Sequence, residues 1–174
     1  MKVCILTAGI GSRMGDISQS LNKSILPTNK GAIISEIFSY FDKNTKFVIA
    51  VGYKKRQVKD YISLAHPNIK KNISYVDVDN YDKKFSGPGY SLFKCKKLLN
   101  EPFYVTSCDT LLPKNFKLSK KLNQNILFGK KVEKKSSKNY CNFEINKKKI
   151  SKIYEKKKYK NNNFRSFSGL IYIC

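Results

Sequence analysis

The first eleven residues constrain the fold of this chain more than any other stretch. An apolar run, Val3-Cys4-Ile5-Leu6, passes directly into a turn that carries Gly9 and Gly11. Glycine has no Cβ and tolerates positive φ, so such a turn lets backbone N–H groups approach a phosphate group closely. The pattern predicts a short buried strand followed by a phosphate-binding turn, residues 7–11, which we call the glycine loop.

Two basic side chains follow the glycine loop at intervals suited to a nucleoside triphosphate. Arg13 offers a planar, permanently charged guanidinium that matches phosphate oxygens, and Lys23 offers a mobile positive charge. Gly9-Ile10-Gly11 alone is also typical of an ordinary tight turn. It is not a dinucleotide-binding fingerprint, because position 14 is Met, and no Gly-Lys-Ser/Thr follows as in a Walker A loop.

The stretch as a whole resembles a known family. Residues 6–14, Leu-Thr-Ala-Gly-Ile-Gly-Ser-Arg-Met, and residues 22–27, Asn-Lys-Ser-Ile-Leu-Pro, are similar to the N-terminal signature of nucleotidyltransferases that activate sugar phosphates and phosphocholine. Residues 11–20 together with Lys23-Ser24 resemble the phosphocholine cytidylyltransferase-like branch most. Thr7 departs from the alanine that the family has there.

Apolar periodicity predicts an α/β fold along the rest of the chain. Strands are predicted at residues 47–52, 73–78, 103–109 and 167–174, and helices at 33–41, at 57–62 and from Gly87 onward. This alternation implies a mostly parallel sheet with right-handed crossovers, a Rossmann-like three-layer sandwich. Ligands bind beyond the carboxyl ends of such strands, where the glycine loop, Gly52, Gly87-Pro88-Gly89 and Asp109 are all expected.

The chain is predicted to form a single domain over residues 1–174, with a nucleotide-binding part at 1–130 and an acceptor-side part at 131–174. A hairpin is expected to turn near Asn146-Lys147. The resemblance implies that the acceptor-side part is incomplete, because family members continue beyond the strand on which this chain stops. A fragment, a naturally split enzyme, a homodimer and a chain completed by a partner are all open.

The net charge of +23 allows an anionic partner of any kind. The positive residues are mostly lysines spread along the chain, and no RNA- or DNA-binding signature is found, which makes nucleic-acid binding a lesser alternative. No apolar run approaches the roughly 20 residues that cross a bilayer. The first strand begins at once, so we expect a cytoplasmic protein without a signal peptide.

Cysteine and histidine carry no predicted chemistry. The five cysteines are scattered and form no CxxC pair, which predicts reduced and mostly buried thiols. His66 is the one histidine, stands before Pro67 in a predicted surface loop and has no orienting partner in the sequence. Nucleophilic catalysis by a Ser-His-Asp or Cys-His set is therefore not expected.

The resemblance implies roles for named residues. Arg13, Lys23 and Asp109 correspond to catalytic positions, and Asp109 to the ligand of a Mg²⁺ cofactor, although a strand-end Asp also commonly caps a turn. Lys156 is similar to the lysine that meets the acceptor phosphate, and Ser168 and Gly169 to residues of the acceptor pocket. The nucleotide-binding positions that it implies are Thr7, Ala8, Gly9, Gly11, Ser12, Arg13, Gly87, Pro88, Gly89 and Ser91.

The predicted reaction needs no nucleophile from the protein. An acceptor phosphate oxygen attacks the α-phosphorus of the nucleotide in line and pyrophosphate leaves, so positioning and charge neutralisation dominate. The resemblance favours CTP and a phosphocholine-like or sugar-phosphate acceptor, with products that feed nucleotide-sugar or surface-polysaccharide biosynthesis. A uridylyl- or thymidylyltransferase, a non-catalytic nucleotide-binding subunit and a basic nucleic-acid-binding protein are the alternatives.

Overall fold

The computed structural model describes residues 1–29, 31–113, 116–119, 122–155, 157 and 163–174. Its helices are α1 (Ile17–Ser20), α2 (Ile33–Ser39), α3 (Lys55–Ala65) and α4 (Pro88–Lys94). The strands are β1 (Lys2–Leu6), β2 (Pro27–Thr28), β3 (Gly31–Ala32), β4 (Lys46–Val51), β5 (Ile73–Asp77), β6 (Phe103–Ser107), β7 (Ile126–Lys130), β8 (Cys141–Asn146), β9 (Lys149–Glu155) and β10 (Phe164–Ile173).

Four parallel strands form the half of the sheet that carries the glycine loop. They lie in the order β5-β4-β1-β6, with Cys4 of β1 opposite Val48 of β4 and Val105 of β6. The apolar runs of β1, β4 and β6 are buried on both faces, which is typical of parallel strands covered by helices, whereas the edge strand β5 is only half-buried. The carboxyl ends of all four strands therefore meet at one edge.

The other half of the sheet is antiparallel and is organised by β10. Residues 170–173 of β10 pair with β6, and residues 164–166 pair with β8, which continues to the edge strand β9. β7 also pairs with β10, and a register shift between Phe167 and Ile171 of β10 marks a bulge. Within this bulge, Ser168 and Gly169 lie against Thr110, in the turn after β6.

Helices cover the parallel half on both faces. Val3 and Ile5 of β1 point into a core with α2 and α3, whereas Cys4 points into a second core that includes Cys95 at the end of α4. This arrangement follows from the alternation of side chains along a strand. The α/β, Rossmann-like fold with three layers and a mostly parallel central sheet is confirmed.

Several predicted boundaries differ in detail. β6 ends at Ser107, so Asp109 lies in the following turn, and β10 begins three residues before the predicted position 167. The β8–β9 hairpin turns at Lys147 and Lys148, both with positive φ, as expected near Asn146-Lys147. β7 was not predicted. No helix among the described residues is long and apolar enough to cross a membrane.

All five cysteines are free thiols. Cys4 and Cys95 are buried, Cys108 and Cys141 are half-buried and Cys174 is exposed. The prediction of reduced thiols therefore agrees with the structure. The prediction that most of them are buried holds fully for two of the five.

His66 ends α3 as a half-buried residue rather than lying in an open loop. Its Nε2 is 2.7 Å from Ser35 Oγ, its ring packs edge-on against Phe38, and burial lowers its pKa. The neutral imidazole is therefore favoured in the fold. The neutral imidazole should therefore contribute fully to the free energy of unfolding above the ordinary histidine pKa of about 6.5. This contribution should decrease as the pH falls below that value.

We expect the melting temperature to fall between pH 7.5 and pH 5.5, and the fall to be smaller in His66→Gln, which does not titrate there. Thermal unfolding of both proteins across this range measures the difference. Equal slopes would show that His66 does not contribute to this pH dependence.

Candidate functional site

A cavity of about 280 Å³ lies at the carboxyl ends of β1 and β6, where the parallel sheet meets α4. It brings together segments that are up to 103 residues apart in the sequence, from Leu6 to Asp109. Nine of the predicted site residues lie in its wall. The lining residues are Leu6, Ala8, Gly9, Gly11, Arg13, Lys23, Tyr81, Ser86, Gly87, Pro88, Ser91, Ser107, Cys108 and Asp109.

The glycine loop presents its backbone to this cavity. Gly11 adopts φ 74°, a left-handed conformation that precedes the short turn Ser12–Met14. A Cβ added at Gly9 would meet no heavy atom within 4 Å, so packing within the chain does not require glycine there. The missing side chain instead leaves the loop open on the cavity side, as a phosphate-binding backbone requires.

Gly52, at the end of β4, holds the loop from behind. A Cβ at Gly52 would lie 2.9 Å from both the Ala8 carbonyl oxygen and Tyr81 Cδ1. Because only glycine allows this approach, β4 and the segment of Tyr81 can both pack directly against the glycine loop. Packing thus explains why glycine stands at position 52, at the predicted edge of the sheet.

Three charged side chains converge on the cavity. Lys23 Nζ is 2.5 Å from Asp109 Oδ2, and the two side chains are 28% and 44% exposed. Arg13, two residues after the glycine loop, is exposed and lines the same cavity, and no ion pair to it is found within the described ranges. Two cations and one carboxylate give a positively charged cavity that suits an anionic ligand.

The remaining predicted residues lie elsewhere. Thr7 is buried and its hydroxyl donates to the Ala50 carbonyl oxygen at 2.8 Å, so this hydroxyl serves the fold. Ser12 and Gly89 are adjacent to the lining but not part of it. Ser168 Oγ donates to the Phe128 carbonyl oxygen at 2.8 Å. Lys156 lies outside the described residues.

Gly169 has a packing role that sequence reasoning missed. It adopts φ 90°, and an added Cβ would clash with Thr110 Oγ1, directly after Asp109. The β10 bulge therefore supports the turn that carries Asp109. We expect Gly169→Ala to lower the free energy of unfolding by about 2–4 kcal/mol, from backbone strain and overpacking together.

Denaturant unfolding measures that effect. Gly9→Ala is the matched control, because the added methyl group meets open space, and its stability should stay close to that of the wild type. Removing the Thr110 side chain in Gly169→Ala/Thr110→Ala should recover the steric part of the loss. A wild-type stability for Gly169→Ala would contradict the packing role.

Five lining residues were not predicted as site residues: Leu6, Tyr81, Ser86, Ser107 and Cys108. Ser86 Oγ donates to the Tyr81 carbonyl oxygen at 2.7 Å, which fixes the segment before α4. Burial, reinforced by the Asp109 charge, raises the pKa of the Cys108 thiol to about 12. The thiol is protonated at neutral pH and is a poor nucleophile. Position beside Asp109 was the one sequence signal for Cys108.

The donor set fits Mg²⁺ that arrives with a nucleotide. Mg²⁺ retains water and is held through one or two carboxylates and substrate phosphates. Asp109 supplies one partly exposed carboxylate in the cavity, and no group of three or more His, Cys, Asp or Glu ligands occurs among the residues that the structure describes. These residues fit a cation shared with phosphate oxygens, which Asp109 would hold.

Comparisons with known proteins find nucleotidyltransferases. The chain is 30% identical over 128 residues to a D-glycero-alpha-D-manno-heptose 1-phosphate guanylyltransferase of Campylobacter jejuni, covering 72% of this chain and 54% of that protein. It is 29% identical over 118 residues to a choline-phosphate cytidylyltransferase of Streptococcus pneumoniae, covering 66% and 47%. No protein-family model matches the chain.

A solved structure of UDP-glucose pyrophosphorylase complexed with UDP-glucose has the same fold. It superposes with a TM-score of 0.76 at 21% identity and covers 98% of this chain and 75% of that one. At this identity the likeness concerns the fold. The chain spans about half the length of the two curated relatives, 54% and 47%.

Proposed function

We propose that this chain, whose resemblance to the sugar-phosphate and phosphocholine nucleotidyltransferases is confirmed by its relatives, transfers a nucleoside monophosphate from a nucleoside triphosphate to a phosphorylated small acceptor. Pyrophosphate is the second product. The observation that carries the proposal is the convergence of Arg13, Lys23 and Asp109 on one cavity beside an open glycine loop.

The chemistry follows from charge and position. An acceptor phosphate oxygen forms a bond to the α-phosphorus while the bond to the pyrophosphate oxygen breaks in line. Arg13 would hold the leaving β- and γ-phosphates. Lys23 would exchange Asp109 for an oxygen of the α-phosphate or of the acceptor phosphate. Asp109 would hold Mg²⁺, which, when bound, neutralises phosphate charge.

CTP is the nucleotide that we propose, with a phosphocholine-like or sugar-phosphate acceptor. Residues 11–20 with Lys23-Ser24 resemble the cytidylyltransferase branch, and one curated relative is a choline-phosphate cytidylyltransferase. The second candidate keeps the reaction and changes the substrates to a sugar 1-phosphate with another nucleotide. The relative named as a heptose 1-phosphate guanylyltransferase favours it.

Pyrophosphate release by the purified chain with Mg²⁺ tests the proposal. CTP, UTP, dTTP and GTP are each paired with phosphocholine and with a set of sugar 1-phosphates. Release with one clear pair establishes the transfer and names its substrates. Nucleotide binding without release supports a non-catalytic subunit, and the absence of nucleotide binding contradicts the assignment of the cavity.

A further inference from the structure

Asn22, next to Lys23, is the most completely bonded buried side chain near the cavity. It is 0% exposed. Its Nδ2 donates to the carbonyl oxygens of Thr7 and Tyr53 at 3.1 and 2.7 Å, and its Oδ1 accepts from the backbone N–H and the hydroxyl of Ser24 at 2.9 and 2.7 Å. Both donors and both lone pairs of the amide are thus used.

These four hydrogen bonds join three separate segments. Thr7 begins the glycine loop, Tyr53 follows β4, and Ser24 lies in the short turn Lys23–Ile25 that Asn22 caps. A fifth bond, from the Asn22 N–H to Gln57 Oε1 at 3.1 Å, ties the same point to α3. The amide therefore fixes where the Lys23 backbone stands relative to the glycine loop.

Lys23 depends on this anchor more than Arg13 or Asp109 do. Its side chain pairs with Asp109, 86 residues away in the sequence, and its backbone stands in a turn of only three residues. A short turn without a buried anchor would leave the ammonium group several positions to occupy. Buried and fully satisfied polar groups specify one arrangement of the chain.

We propose that Asn22 is a positioning residue for nucleotidyl transfer, which holds Lys23 at the distance from the glycine loop that the reacting phosphates require. This inference rests on the proposed function for its catalytic part. Asn22 has no hydrogen bond to Arg13 or Asp109 among those found, and it would act through Lys23. No other side chain in the described part of the chain links the glycine loop, β4 and the Lys23 turn in this way.

The test uses Asn22→Asp, which keeps the shape and the two accepted bonds but loses the amide donors to Thr7 and Tyr53. We expect kcat to fall about 10- to 100-fold, as for a misplaced catalytic group, with the KM of the nucleotide within about threefold of the wild type. In a Lys23→Ala background the same change should lower kcat by no more than about twofold, because the two residues act as one unit. If Asn22→Asp lowered kcat by the same factor in the wild-type and Lys23→Ala backgrounds, the two residues would act independently and the proposal would be overturned.

A second readout does not need transfer activity. Acetylation of Lys23 by acetic anhydride, followed by mass spectrometry, reports whether its amine is held by Asp109, and Asp109→Asn gives the rate of the unpaired lysine. In Asn22→Asp we expect labelling about two- to fivefold faster than in the wild type, which corresponds to loss of an exposed ion pair. A wild-type labelling rate would overturn the proposal.

Asn142→Asp is the matched control. Asn142 is also 0% exposed and donates to three carbonyl oxygens, those of Ser137, Tyr140 and Lys157, in the antiparallel half of the sheet. It should lower the melting temperature as Asn22→Asp does and leave Lys23 labelling unchanged. If the wild type transfers no nucleotide while Asn22→Asp still accelerates labelling, the proposed function fails and the positioning role stands.

Discussion

Arg13→Ala is expected to lower the turnover number for pyrophosphate release by about 10²–10³-fold, the cost of removing one preorganised charge from a phosphate-transfer site. The guanidinium lies in the cavity wall and no ion pair holds it within the described ranges, so its charge is available to the leaving phosphates. Folding should be unaffected, because an exposed and unpaired side chain contributes little to stability. Steady-state kinetics and thermal unfolding measure the two effects.

Two variants sharpen this prediction. Arg56→Ala removes the same charge from an exposed position on α3 and should retain wild-type turnover. Arg13→Lys keeps the charge but not the planar fork, and an intermediate loss would show that bidentate contact with phosphate matters. Wild-type turnover in Arg13→Ala would contradict the assignment of Arg13 to the β- and γ-phosphates.

Asp109→Asn should lower turnover by a similar factor, about 10²–10³-fold, because the one carboxylate of the cavity is lost. The amide can no longer hold a divalent cation or Lys23 by charge. The Lys23–Asp109 pair is partly exposed, so its loss should cost less than about 1 kcal/mol of stability. In this variant we therefore expect a large loss of turnover with only a small loss of stability.

Nucleotide affinity provides an independent measurement for Asp109. In the wild type we expect Mg²⁺ to strengthen nucleotide binding, and in Asp109→Asn that gain should shrink, as measured by calorimetry with and without Mg²⁺. Asp77→Asn is the matched control, because Asp77 also pairs with lysines, Lys55 at 2.7 Å and Lys59 at 3.0 Å, but lies outside the cavity wall. An undiminished Mg²⁺ effect in Asp109→Asn would show that another group holds the cation.

Periodicity in the sequence predicted the parallel half of the fold because local pattern decides it. The buried run of β4 and the helical spacing of α2 are visible in eleven to eighteen residues, the range over which such patterns can be read. β7 has no comparable signal. Its residues Ile126–Lys130 form a strand because β10 offers them a partner some forty residues later in the chain.

The site divides in the same way. Arg13, Lys23 and Asp109 were identified through the resemblance of short motifs, and the fold brings them to one cavity. Tyr81 belongs to no motif, and Ser86 and Cys108 only adjoin motif residues, since a cavity wall is defined by distance in space. The place of Gly169 in an acceptor pocket stays a prediction, and its contact with Thr110, in the turn after β6, was not expected from the sequence.

The sequence by itself determined the strand that precedes the glycine loop, the alternation of strands and helices, and the chemical types of the side chains that we propose bind phosphate. These depend on residue type and on spacing over a few turns. Only the tertiary structure decided that Lys23 meets Asp109, that Gly169 supports the Asp109 turn, and that Asn22 bonds to Thr7 and Tyr53. Each of these contacts joins residues distant in the chain, and packing of the whole sheet sets their separation.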